Sequence, residues 1–326
     1  MSKAKIYITF DYELFFGPDS GSIEACILQP TRELMKVGSD CDVNFTFFVD
    51  AGMLCAFKRN MSIYPELAVS YEQVISQIRE LDRKGHTIAL HIHSHWEDAV
   101  YEGGKWVFDT SRYRLSSFSQ QEADEIIRRY FNELSLHCEK PIKAFRAGGW
   151  CVQPFEVFRS TFAELGIAID SSLYKDGYMS TKSHQFDFRG MPSSTIWNFN
   201  SDPMMIEMDG IFTEIPIAST AYSRFFYLGM LWHRLLKTEK YRMFGDGRAI
   251  GGGRKRQLKS IAEGDFGVVS LDSYRCRQLK SAWRKFLKST PDGHFVVIAH
   301  PKALSRASVE VLADFAKAER NRFSIM

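Results

Sequence analysis

Short apolar runs of strand length alternate along this chain with stretches of helical period, and several of the runs end in an acid or a histidine. The candidate strands are Lys5–Phe10, Val43–Val49, His86–His91, Lys143–Arg146, Ile167–Ile169 and Phe295–Ala299. They are rich in β-branched and aromatic residues, which suit a pleated, buried surface. Between them, Pro65 opens a helix that carries Val74, Ile75, Ile78 and Leu81 on one face and stops at Lys84 before Gly85. Ser119 and Glu122 make a capping box, and behind it Ala123, Ile126, Ile127, Tyr130, Phe131 and Leu134 recur at helical spacing. Pro154–Leu165 and Ala303–Ala318 read as further helices. Strands alternating with helices of this length build a parallel α/β sheet or barrel.

Size and charge narrow the function classes. With 326 residues the chain can bury a large core without staples. A net charge of +3 is too small for nucleic acid to be the main partner. The longest apolar run without charge, Phe225–Trp232, is far short of the roughly 20 residues a membrane span needs. No secretory leader is visible at the start, so a cytoplasmic protein is expected, with its six cysteines as reduced, buried thiols. Cys151, near one motif, is expected to be inert packing. One domain is expected over 1–326, with a less regular insertion at about 174–272. Within it, Gly245–Arg256 reads as a mobile loop. Tyr222–Phe244 reads as a core helix with a solvated face, or alternatively as an amphipathic surface that meets a membrane.

The polar clusters sit where active sites form in α/β folds, at the carboxyl ends of strands. They are Asp11-Tyr12-Glu13, then His91-Ile92-His93-Ser94-His95, and finally His300, with Arg146 and Asp170 ending two further strands. Two imidazoles four residues apart can reach one ion, and a carboxylate from another strand completes a three-ligand set with an open position. A second carboxylate off the metal can act as base and a separate histidine as acid.

In these residues the chain resembles the polysaccharide deacetylase (NodB-homology) family of metal-dependent carbohydrate esterases. Thr9-Phe10-Asp11-Tyr12-Glu13 is similar to the first family motif, and Gly85-His86 through His91–His95 to the second. Arg146-Ala147-Gly148-Gly149-Trp150, Asp170-Ser171-Ser172-Leu173 and Ile298-Ala299-His300 resemble the third, fourth and fifth, in the family's order. The resemblance implies a distorted, incomplete (β/α) barrel of about seven strands with an insertion before the last. It implies removal of an N-acetyl or similar acyl group from a sugar, with a divalent metal, Zn, Co, Ni or Mn.

Residue by residue, the resemblance makes His91 and His95 metal ligands and Asp11 the base for the attacking water, held by Arg146. His300 is implied to protonate the leaving amine with Asp170 tuning it, and the Gly149 N–H to be an oxyanion donor. His93 is then structural, and His86 supports the turn after Gly85. The family's usual first motif has two adjacent aspartates, the second of them a ligand; here that place is Tyr12. Because a strand repeats every two residues, Asp11 and Glu13 share a face, and Glu13 is assigned to the metal.

The expected substrate is a precursor in bacterial surface-polysaccharide or lipopolysaccharide O-antigen assembly. Arg254, Lys255 and Arg256 are candidates to hold its nucleotide or polyprenyl diphosphate carrier, and Tyr222–Phe244 to touch the inner face of the membrane. Four other readings stand beside this one: a catalytically silent barrel that binds a glycan or partner protein, a nucleic-acid binder using the Arg254–Arg256 loop, which the near-neutral charge argues against, a deformylase, and an amidohydrolase acting on a non-sugar amide.

Overall fold

A computed structural model describes residues 3–249 and 263–326. Its centre is a curled sheet of eight strands: β1 (Lys5–Tyr12), β2 (Thr46–Asp50), β3 (Thr87–Ile92), β4 (Ala144–Ala147), β5 (Ile169–Asp170), β6 (Trp197–Phe199), β7 (Phe212–Glu214) and β8 (His294–Ala299). The order across the sheet is β6-β7-β5-β4-β3-β2-β1-β8. Seven of the strands run parallel and only β6 pairs antiparallel, on the edge. The sheet curls until the chain beyond β7 reaches β8, through parallel bridges from Ile217 to Val296 and from Ser270 to Ile298. This is the distorted, incomplete (β/α) barrel, closed on one side by single bridges in place of a full ladder.

Eight α-helices accompany the sheet among the described residues: α1 (Gln29–Cys41), α2 (Ala51–Asn60), α3 (Pro65–Arg83), α4 (Gln120–Ser135), α5 (Glu156–Leu165), α6 (Arg224–Leu235), α7 (Leu279–Ser289) and α8 (Arg306–Glu319). The capping box forms at α4, where Ser119 Oγ accepts from the Glu122 N–H and Glu122 Oε2 accepts from the Ser119 N–H at 2.8 Å. After α3, Gly85 turns the chain with φ +93°, a conformation that side chains with a Cβ resist.

Strand period sorts β1 into two faces. Ile6, Ile8 and Phe10 join the large core beneath the helices, whereas Tyr7 joins Ile215, Ile217, Val296 and Ile298 inside the barrel. Thr9 and Asp11 follow Tyr7 on the inner face, where Thr9 Oγ1 donates to the Val297 carbonyl at 2.8 Å. Residues 174–272, expected as an insertion, contribute β6 and β7 to the main sheet and Asp272 to the site below.

His86 lies at the opposite end of β3 from the site. It is buried, its Nδ1 accepts from the Phe45 N–H at 3.1 Å, and its ring stacks on Phe45. Burial, helped by Lys84 and Lys140, pushes its pKa down from 6.5 to about 4. A histidine with a depressed folded pKa stabilises the fold fully above its unfolded value. That contribution is lost as pH falls from 6.5 through 4, where the unfolded chain binds the proton more readily. Up to about 3 kcal/mol is expected to disappear over this window. His86→Asn keeps an acceptor without the titration. Urea midpoints measured at pH 7 and pH 4 should therefore differ less in the variant than in the wild type, and equal differences would refute the assignment.

Candidate metal centre and catalytic site

Asp11 and Glu13 extend the inner face of β1 to the carboxyl end of the barrel, and Tyr12 between them turns the other way. The Tyr12 hydroxyl donates to Gln77 Oε1 on α3 at 2.9 Å, so the residue in the family's usual ligand place is a core tyrosine. Opposite them, β3 ends at Ile92 while His93 keeps an extended backbone, with φ −113° and ψ 97°. The same period of two therefore puts His91 and His93 on one face.

Glu13, His91 and His93 offer one ligand atom each within 4.8 Å of one another. Glu13 Oε2 lies 3.2 Å from His91 Nε2 and 2.7 Å from His93 Nε2. His91 Nδ1 sits 2.8 Å from the Arg146 carbonyl oxygen, which can only accept. Nδ1 therefore carries the hydrogen, and in the neutral ring the Nε2 lone pair is aimed at Glu13. Two acceptors facing each other need a proton or a cation between them. His93 Nδ1 is buried without a hydrogen-bond partner among the described residues. One carboxylate oxygen and two imidazole nitrogens form a donor set suited to Zn²⁺ and similar borderline ions. The residues present thus fit a divalent metal.

His95, expected as the second histidine ligand, is not one of the three residues whose ligand atoms cluster; His93 is. The chain turns into a short 3-10 helix at Ser94–Asp98, which breaks the strand period; the His95 ring stays 5.1 Å from that of His93, and both its nitrogens are buried without a hydrogen-bond partner among the described residues. The His95 ring is fully buried among aromatics, stacked on Tyr113 with Phe16 at 4.4 Å and Phe108 at 5.3 Å. Burial holds its pKa well below the usual histidine range, so it is neutral.

Glu13 has a partner that the sequence reading missed. Lys302 Nζ donates to Glu13 Oε1 at 2.8 Å and lies within about 5 Å of the Phe15 and Phe16 rings. Burial alone would raise the Glu13 pKa. Lys302, His93 and the two imidazole contacts outweigh it and hold the carboxyl well below the ordinary range, so Glu13 is an anion.

Arg146 is wholly buried inside the barrel, its guanidinium 4.1 Å from the centre of the Phe48 ring. It donates to Asp11 Oδ1 at 2.6 Å, to Thr9 Oγ1 at 3.0 Å, to the Ser171 carbonyl at 2.7 Å and to Ser171 Oγ at 3.1 Å. One Asp11 oxygen is thereby occupied. The other, Oδ2, lies 4.0 Å from His91 Nε2 and 3.8 Å from His300 Nε2.

His300 directly follows β8, and its partner is Asp272. His300 Nδ1 is 3.0 Å from Asp272 Oδ2, and the His300 N–H donates to Asp272 Oδ1 at 2.9 Å. Burial would lower the histidine, but Asp272, Asp11 and Glu13 together raise it to about 9. This corrects the expectation that Asp170 tunes His300. Asp170 Oδ1 instead accepts from Ser172 Oγ, and the residue stands in register with Glu214 on β7. Burial raises both carboxyls, Asp170 to about 6 and Glu214 well above the usual range, and one proton shared between them relieves the pair. Asp272 was detectable in principle. It ends the apolar run Val268-Val269-Ser270-Leu271, the same pattern that singled out Asp11.

Gly149 lies in the turn after β4 with φ +57°, and a Cβ there would meet the Tyr113 and His184 rings. At Gly148 a Cβ would come within 2.6 Å of His93 Nδ1, so a side chain there would displace that ring. The loop expected to be mobile is fixed over its described part. Gly245 N–H donates to the Lys302 carbonyl at 2.9 Å, and Asp246 Oδ1 accepts from the Ser22 N–H at 2.7 Å. Arg254, Lys255 and Arg256 lie outside the described residues.

No protein-family model and no curated protein matches the sequence. Among solved structures, a Mycobacterium smegmatis protein assigned as a polysaccharide deacetylase aligns at 16% identity and TM-score 0.50, over 99% of this chain and 87% of the other. Puue allantoinase aligns at 11% identity and TM-score 0.52, over 100% and 87%. A family 4 carbohydrate esterase from Streptomyces lividans aligns at 11% identity and TM-score 0.41, over 100% and 93%. The first two show that this chain has the barrel fold they share.

Proposed function

We propose that the chain is a hydrolase that removes an N-acetyl or similar acyl group from a sugar. The observation that carries this reading is the convergence of three paired groups at the carboxyl end of the parallel strands. These are Glu13 with His91 and His93, Asp11 with Arg146, and His300 with Asp272. The likeness of fold to a protein assigned as a polysaccharide deacetylase supports it.

Each pair has a distinct task in amide hydrolysis. Arg146 fixes Asp11 through Oδ1 and leaves Oδ2 to take the proton of the attacking water. Asp272 holds the Nδ1 hydrogen of His300 and keeps the ring protonated, so that Nε2 can give its proton to the leaving amine. His300 Nε2 lies 3.8 Å from Asp11 Oδ2 and 3.7 Å from Glu13 Oε1, so base and acid face one reaction space. The Gly149 N–H is the proposed donor to the developing oxyanion. A divalent cation held by Glu13, His91 and His93 would supply Lewis acidity, polarising the scissile carbonyl and acidifying water.

The substrate we favour is a surface-polysaccharide or lipopolysaccharide O-antigen precursor on a nucleotide or polyprenyl diphosphate, handled on the cytoplasmic side. Six free cysteines suit a reducing compartment, and the basic run Arg254-Lys255-Arg256 suits a diphosphate.

Purified protein is expected to carry about one divalent ion per chain, to lose activity with a chelator, and to regain it with Zn²⁺ or Co²⁺. Nucleotide-linked, lipid-linked and polymeric N-acetyl sugars should be assayed together with allantoin, because the fold is shared with an allantoinase. Full activity in a metal-free preparation, or turnover of allantoin alone, would sink the reading.

A further inference from the structure

Helix α6 carries its apolar residues on the outside. Phe225, Trp232 and Leu235 are 68%, 62% and 69% exposed, and Leu228, Leu231 and Leu236 lie open on the same side. Their spacing, 225, 228, 232 and 235, is a single helical stripe. The opposite side is anchored to the protein: Phe226 packs on Tyr222 and Tyr274, and Ser223 caps the first turn. A solvent-facing stripe of this width is costly unless something covers it.

The charges beside the stripe indicate what covers it. From Arg224 to Arg242 the chain has five basic residues, Arg224, Arg234, Lys237, Lys240 and Arg242, against one acid, Glu239. Glu239 and Glu310 pair with Arg242 and Lys240, which leaves the stretch with a positive surplus. Aromatic and leucine side chains on one face with a basic rim are the composition of a helix lying in the headgroup boundary of an anionic bilayer. The helix has 12 residues, about 18 Å, and cannot cross the roughly 30 Å of a hydrocarbon core. No helix among the described residues is long and apolar enough to do so.

The anchored side of α6 borders a cavity of about 640 Å³ at the carboxyl end of the helix, lined among others by Met230, His233, Arg234, Tyr241, Tyr274 and Asp272. Asp272 is the partner of His300. Tyr274, which packs on Phe226 of α6, lines the same cavity as Asp272.

We infer that α6 is an interfacial anchor that docks this protein flat on an anionic lipid surface. This deepens the proposed function, because a substrate with a lipid-linked diphosphate is presented at that surface. The docking itself does not depend on the chemistry.

The test uses the full chain with vesicles of phosphatidylglycerol and phosphatidylcholine, and with vesicles of phosphatidylcholine alone. Wild type is expected to sediment with the anionic vesicles, at least tenfold more than with the neutral ones, and less as salt rises. The triple variant Leu228→Ser, Trp232→Ser, Leu235→Ser is expected to lose that partition at least tenfold. It should keep its circular dichroism, its metal content and its activity on a water-soluble N-acetyl sugar. Failure of wild type to bind anionic vesicles, or equal binding by the variant, overturns the proposal. So does a wild-type dimer that the variant dissolves, since the stripe would then be a contact between two copies. Loss of hydrolysis with docking intact would instead count against the hydrolase reading alone.

Discussion

Replacing Asp11 by Asn is expected to lower kcat on an N-acetyl sugar by about 10²- to 10⁴-fold, the range general base catalysis supplies. Asn keeps the volume and can still accept from Arg146, but it cannot take up a proton. Metal content should remain near that of wild type, because Glu13, His91 and His93 are untouched. The same assay separates the two candidate partners of His300. Asp272→Asn removes the negative charge 3.0 Å from His300 Nδ1 and is expected to lower kcat at least tenfold. Asp170→Asn alters a carboxyl that already shares its proton with Glu214 and is expected to leave kcat within a few-fold. The reverse order of these effects would return the tuning role to Asp170. An Asp11→Asn enzyme with wild-type kcat would remove Asp11 from the proton transfer altogether.

The second large effect is on stability. Arg146 is fully buried and makes four hydrogen bonds, one of them the ion pair with buried Asp11. Arg146→Met fills similar space but removes the hydrogen-bonded counter-charge of the Asp11 carboxylate, leaving it the His300 ring at 3.8 Å. Breaking a buried pair from one side typically costs about 3–5 kcal/mol, because desolvation of the remaining charge is no longer compensated. The urea midpoint at pH 7, measured in chelator so that metal does not contribute, should fall accordingly with little change in slope. The double variant Asp11→Leu, Arg146→Met is expected to be more stable than Arg146→Met alone, since the carboxylate that lost its hydrogen-bonded partner is gone as well. A double variant as unstable as the sum of the two singles would mean that the pair does not couple.

Much of the scaffold was legible because its signals are local. The strands β1, β2, β3, β4 and β8 and the helices α3, α4, α5 and α8 each announce themselves by period, cap or stop residue. Their boundaries shift by a few residues at most, as at α8, which opens at Arg306 behind the Ser305 cap. Helix α2 was not legible: it starts at Ala51 directly from the last residue of β2, with no side-chain cap to mark the change. Strand β7 was hidden for another reason. Three residues, Phe212–Glu214, carry no period, and only pairing with β5 and β6 makes them a strand. Helix α6 has the pattern of a core helix, and the sequence has no means of telling which side of an apolar stripe the rest of the chain covers.

The candidate site divides in the same way. By itself the sequence determined that Asp11 and Glu13 share a face, because a strand repeats every two residues and β1 runs through Tyr12. It also determined that His91, Arg146 and His300 stand at strand ends, since each apolar run stops beside them. The tertiary structure decided which groups meet. That His93 stands with His91 and Glu13 follows from how far the extended backbone continues past the end of β3. Asp272 in place of Asp170, and Lys302 on Glu13, follow from how far the sheet curls and from which loops then face one another. Those contacts join residues 28 and 289 positions apart. Local pattern carries no information across such separations; only the closure of the barrel brings these charges together.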